Sequence, residues 1–208
     1  MNPRNIVFVS VAVLGLAFDQ LSKWWVASTL QQDVDEITVI PGFFSIVHRQ
    51  NPGAAFGMFR DFEYRHWLFL VFTLVAAAVI VDLFRRLPRN DKFMAATLGL
   101  ILSGALGNAI DRVAKHTVTD FLKVYTDSPS LVGWLHGHGL PTEWPSFNVA
   151  DSALVVGVAM YLFHQLFLED RSGRASELEE KPTPSPEPEG EASPDEVQQR
   201  SDTATSGV

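Results

Sequence analysis

The chain has no cysteine. That absence excludes a disulfide framework, a thiol nucleophile and a zinc site built on Cys ligands. It also lacks a basic stripe or any nucleic-acid-binding motif, so no nucleic-acid partner is expected. Internal repeats are absent, and charge is scarce over most of the length. Of the net −8 across 208 residues, Glu169–Val208 accounts for −7, with eleven acids against four bases. Residues 1–168 are nearly neutral, so the acidity describes a tail and not the folded part. The mean hydropathy of +0.10 averages that polar tail with very apolar segments. By length, the chain is one domain followed by a tail.

Four apolar stretches stand out: Ile6–Ser28, Trp67–Phe84, Phe93–Ile110 and Ser152–Leu168. Roughly 20 apolar residues cross about 30 Å of hydrocarbon, and with their flanks all four approach that length. Four such runs in one short chain predict an all-α integral membrane protein with four transmembrane helices. Short loops rich in Lys and Arg stay in the cytoplasm. Arg4, Arg85, Arg86, Arg89, Lys92, Arg171, Arg174 and Lys181 flank one side; the two longer loops carry only Arg49, Arg60, Arg65, Lys115 and Lys123. Both termini are therefore expected in the cytoplasm and the long loops outside. Gly15-Leu-Ala17 imitates a signal-peptide cleavage site, but the apolar run resumes at Trp24–Ala27, which favours a retained first helix. Phe18 stands where a lipobox needs Cys, so the chain is not expected to be a lipoprotein itself.

Ile37–Ile40 and Phe43–Val47, joined by Pro41-Gly42, predict a small β hairpin on the membrane surface. Asn51-Pro-Gly53 reads as a turn, and the Gly/Pro/Trp-rich second outer loop as partly helical. Residues 170–208, rich in Glu, Pro and Ser, read as a disordered cytoplasmic tail attached to a membrane domain at 1–169.

Charges within or beside membrane spans are costly and mark candidate sites. Asp19 and Lys23 sit four residues apart, on one helix face, where they can pair. Gly99, Ser103 and Gly107 form a small-residue seam for close helix packing. Asn108, Asp111 and Arg112 share a face at the end of the same span. Asp120 follows that helix, and Asp151 stands where the fourth span begins, a position at which Asp ordinarily caps a helix. These residues come from separate segments but fall at one side of the bilayer. Two carboxylates gathered there can share a proton and carry out acid–base hydrolysis.

Five pieces carry a resemblance: Asp19-Gln-Leu-Ser-Lys23, Asn51-Pro-Gly-Ala-Ala-Phe56, Gly104–Arg112, Val118-Thr-Asp-Phe121 and Phe147-Asn-Val-Ala-Asp151. In this order, on a four-span chain, the sequence resembles the lipoprotein signal peptidases (signal peptidase II) over about residues 6–169. The resemblance implies a bacterial inner-membrane aspartyl endopeptidase. It would remove signal peptides from diacylglyceryl-modified prolipoproteins, cutting before the lipidated cysteine. It implies Asp120 and Asp151 as the catalytic pair, with no cofactor and no metal. Asn51, Asn108, Arg112 and Asn148 would line or brace the site. Asp19, Lys23 and Asp111, with Gly104 and Ala150 of the shared motifs, would support it. Prolipoproteins and membrane lipid would be the partners of a monomer. Ser103-Gly104 stands where the family often has Gly-Gly, the Asp120–Asp151 segment is longer than expected, and the acidic tail is not a family feature.

Three other readings have some basis. His136-Gly-His138 could contribute to a zinc site, although no third ligand is spaced nearby. Ser22 and Lys23 could form a serine–lysine pair, but adjacent helix positions point about 100° apart. A small transporter would spread its polar groups through the bilayer depth, whereas most of these lie at one end.

Overall fold

The structure is a computed structural model that describes residues 2–53 and 64–169. The expected tail at 170–208 and the Ala54–Phe56 part of the second motif lie outside the described residues.

The four apolar stretches form four helices long and apolar enough to cross a membrane. They are α1 (Pro3–Thr29), α2 (Arg65–Arg86), α3 (Lys92–Lys115) and, after a short α4 (Pro129–Gly137), α5 (Val149–His164). A wider π turn, Gln165–Glu169, continues α5. In its most apolar window α3 is 61% buried, against 11% or less in the other three. It is therefore the central helix, and α1, α2 and α5 pack on it. The outer helices direct Leu14, Phe18, Trp24, Phe72, Val155 and Leu162 away from the bundle. So much exposed apolar surface suits hydrocarbon and not water.

Small residues make the close packing possible. A Cβ on Gly107 would stand 2.5 Å from Asp19 Oδ2, and one on Gly104 would strike the Ala150 carbonyl and Leu154. The α3 seam thus lets α1 and α5 approach backbone to backbone, as in other membrane bundles. At one end of the bundle, Phe8, Ile80, Ala95 and Leu98 form an apolar core. Arg4 closes that end, lying 4.7 Å over the Phe84 ring and donating to the Leu87 carbonyl.

The opposite end carries a three-stranded antiparallel sheet in the order β1-β2-β3. β1 (Glu36–Ile40) and β2 (Phe44–Asn51) are the anticipated hairpin, but β2 runs four residues further than the sequence suggested. Asn51 is therefore a strand residue and not only part of a turn. The third strand, β3 (Val118–Val124), was not anticipated. It starts just after His116 ends α3 in a left-handed conformation (φ 61°), and it pairs Arg49 with Asp120 and Asn51 with Val118. Val26, Leu30 and Phe121 form the apolar contact that seats β3 on the end of α1. The second long loop is partly helical, as expected, through α4.

Candidate active site

The polar residues singled out from the sequence gather at the sheet end in two connected layers. The deeper layer is built around Lys23, which is 1% exposed. Its ammonium lies 2.9 Å from Asp19, 3.3 Å from Asp111 and 3.1 Å from Asn108 Oδ1. Each carboxylate has further donors. Asp19 accepts from the Ala150 N–H at 2.9 Å and from Gln20 at 3.0 Å. Asp111 accepts from the Thr119 N–H at 3.0 Å and from Lys115 at 3.3 Å. A buried charge persists only when paired and hydrogen-bonded, and this arrangement meets both demands. It ties α1 to α3, to the start of α5 and to β3.

The shallower layer holds the two aspartates. Asn108 takes hydrogen bonds at Oδ1 from Lys23 and from Asn148 (3.2 Å), which fixes its amide so that Nδ2 donates to Asp151 Oδ1 at 2.7 Å. Asn148 caps α5, and its side chain accepts the Asp151 N–H at 2.9 Å while Asp151 Oδ2 accepts the Asn148 N–H at 3.2 Å. In this reciprocal capping box Asn148 is the N-cap and Asp151, expected to cap the helix itself, is the N3 partner. It leaves Oδ1 for Asn108. The Asn148 Nδ2 then reaches Asp120 Oδ1 at 2.8 Å, and Asn51 Nδ2 reaches Asp120 Oδ2 at 2.9 Å. Asn148 therefore bridges two carboxylates from different elements, its side chain holding Asp120 of β3 and its backbone N–H holding Asp151 of α5.

Both aspartates open into one cavity of about 390 Å³. Asn51 and Arg112 complete its polar side; Phe69, Trp144, Pro145 and Phe147 make an apolar side. Asn148 and Asn108 brace the aspartates from behind and do not line the cavity. The Arg112 guanidinium sits 5.0 Å over the Phe69 ring, with Asp120 and Asp151 as its negative neighbours. Burial pushes the Asp120 carboxyl from 3.8 up to about 6; the Asn51 amide opposes this, and the charge of Asp151 adds to it. Such a pair can hold one proton between two carboxyls while a water molecule occupies the cavity.

Nothing in the sequence marks Phe69, which looks like any other apolar residue of its helix. Trp144 was visible only as part of a long loop, and Phe147 only as the first residue of the Phe147–Asp151 motif. Ser22 donates to the Asp19 carbonyl at 2.8 Å, while Lys23 is held in the buried cluster, so no serine–lysine pair forms. His138 donates through Nδ1 to the Trp134 carbonyl, 2.8 Å away, with its ring tilted against that indole. Among the described residues, no group of three or more His, Cys, Asp or Glu is placed to hold a metal ion.

Membrane-length helices around a buried polar cluster, with a polar-sided cavity beside it, define a multi-span membrane protein with a reaction-sized site at the sheet end. The family described as Signal peptidase (SPase) II matches residues 11–167. The lipoprotein signal peptidase of Geobacter metallireducens is 41% identical over 174 residues, 84% of this chain and 99% of that one. The lipoprotein signal peptidase of Geobacter sulfurreducens is 43% identical over 160 residues, 77% of this chain and 91% of that one. A solved bacterial membrane enzyme, determined by the in meso method at 2.3 Å resolution, shares 30% identity with a TM-score of 0.63, over 85% of this chain and 93% of that one. The chain belongs to the signal peptidase II family, and so is a membrane peptidase of bacteria.

Proposed function

We propose that this protein removes signal peptides from diacylglyceryl-modified prolipoproteins, cutting before the lipidated cysteine, and that Asp120 and Asp151 are its catalytic pair. The observation that carries this reading is the joining of the two aspartates through Asn148 beside one cavity. The relatives named as lipoprotein signal peptidases supply the substrate class.

The two carboxyls share one proton. The charged member takes a proton from water, and the neutral member donates to the carbonyl oxygen of the scissile bond. Attack by water then needs neither a covalent intermediate nor a metal. Asn51 and Asn148 hold Asp120, and Asn108 holds Asp151, so neither carboxyl has to be oriented at the moment of reaction. Arg112 supplies positive charge beside the carboxylates. The cavity's aromatic wall takes the apolar residues next to the cut.

The Lys/Arg bias puts both termini in the cytoplasm, so the sheet and the cavity face the outer leaflet. A substrate helix then presents its lipidated cysteine at the depth of the aspartates, and the lipid stays in the bilayer. The enzyme works as a monomer. The test is product mass. Purified protein given a lipidated preprotein in detergent should release the intact signal peptide and leave the lipidated cysteine as the new N-terminus. Cleavage at another bond, or only of unlipidated preprotein, would overturn the substrate assignment.

A further inference from the structure

We propose that a clamp of four charges, Glu36, Arg49, Lys123 and Glu143, positions the aromatic wall of the cavity and so controls how tightly substrate is captured. The inference rests on the peptidase reading above.

The wall, Trp144–Phe147, ends the long excursion that follows β3. Its ends are held unequally: the Phe147 carbonyl accepts from the Phe121 and Leu122 N–H groups at 2.9 and 2.8 Å, which fixes that end, while the Trp144 end has fewer ties. The Trp144 N–H donates to the Val124 carbonyl at 2.9 Å, and the Phe147 N–H to the Leu122 carbonyl at 3.1 Å. Between them, Pro145 has no N–H to offer. α4, upstream, has no buried residue to anchor it, and Trp144 itself is 65% exposed. Backbone bonding alone therefore leaves the Trp144–Ser146 end, and not Phe147, easy to lift.

Glu143, the residue just before the wall, supplies a side-chain attachment at that end. One carboxylate oxygen pairs with Arg49, and the other lies 3.8 Å from Lys123. Lys123 also pairs with Glu36 at 2.9 Å. Arg49 reaches into the wall itself, donating to the Ser146 hydroxyl at 3.1 Å. Each of four neighbouring extended segments thus contributes one charge. An isolated surface pair contributes little, but a network around a largely buried lysine holds its members in register. Releasing Glu143 should widen the cavity mouth without touching Asp120 or Asp151. That loosens capture and leaves the chemical step alone.

The test compares Glu143→Gln with the full-length wild type on a lipidated preprotein. KM should rise by about threefold or more with kcat within about twofold. The wild-type KM should also rise with added salt, and that of Glu143→Gln should not. Amide exchange at Trp144 should quicken in the variant, a readout that needs no activity. The chain lacks cysteine, and Tyr125 faces Glu143 across an antiparallel bridge. Tyr125→Cys/Glu143→Cys should therefore recover a low KM when oxidised and lose it when reduced. An unchanged KM in Glu143→Gln, or a fall in kcat instead, overturns the clamp. Retained cleavage by Asp120→Asn overturns the catalytic-pair assignment instead, and the exchange data still decide whether the clamp holds the wall.

Discussion

Replacing Lys23 by Met keeps the volume of the buried side chain and deletes its charge. Asp19 and Asp111 then lose their shared counter-ion in a region closed to water. Breaking a buried ion pair costs about 3–5 kcal/mol. The low end applies here, because Asp19 keeps Gln20 and the Ala150 N–H, and Asp111 keeps Lys115 and the Thr119 N–H. At about 3 kcal/mol, a chain of this size should lose about 6–12 °C in Tm. The assay is thermal unfolding in detergent micelles followed by circular dichroism, with the double variant Lys23→Met/Asp19→Asn closing a cycle. Removing the orphaned carboxylate should recover about 1 kcal/mol or more of the loss. Cleavage should weaken too, because Asn108 loses one of the two donors that aim its amide at Asp151. A Tm drop below about 2 °C, or strict additivity in the cycle, would refute the view of Lys23 as the hub of the deeper layer.

Four further outcomes are expected. Because the Asp120 carboxyl is pushed up to about 6, the singly protonated pair persists below that pH and is lost above it. The alkaline limb of kcat/KM should therefore fall with an apparent pKa near 6, and a flat profile across that range would contradict it. A raised carboxylate pKa means that the folded state binds the proton more tightly than the unfolded chain. Wild-type stability should therefore decline as pH climbs from 3.8 through about 6. Asp120→Asn removes that decline, so its Tm relative to wild type should improve by a few degrees, about 1 kcal/mol, between about pH 5 and about pH 8. Gly104→Ala drives a methyl group into the Ala150 carbonyl and Leu154 and should cost about 1–3 kcal/mol, read as a lower Tm. Single cysteines at exposed Thr38 and Arg89 should react with an impermeant maleimide only from outside and only from inside, respectively, in oriented vesicles; the reverse pattern would invert the proposed topology.

Much of this was legible in the sequence, for physical reasons. Membrane spans announce themselves by length and apolarity. A lysine four residues after an aspartate inside one of them had little choice but to pair with it. The hairpin was visible because its two strands are neighbours in sequence. β3 was not, because a seven-residue strand holding Asp120 and Lys123 has no clean alternation, and it pairs with β2 across a long stretch of chain. Its β-branched and aromatic content, Val118, Thr119, Phe121 and Val124, was the available signal. That strand is what carries Asp120 to the start of α5. Asn148 was read as a residue bracing the site, but its bridging of both carboxylates depends on a capping geometry that sequence cannot specify. Asn108, Asp111 and Arg112 were placed on one face. In the structure the first two turn to Lys23 and Arg112 to the cavity, a division made by what α1 and α2 present to α3.

The most direct test is the activity of purified, folded Asp120→Asn and Asp151→Asn toward a lipidated preprotein under single-turnover conditions. Each should lose at least about 10³-fold in rate while keeping its helical signature, and the double variant should lose little more than either single one, because the two carboxyls act as one unit. Near wild-type cleavage by either single variant, or losses that simply multiply in the double variant, would contradict a water handled jointly by the pair.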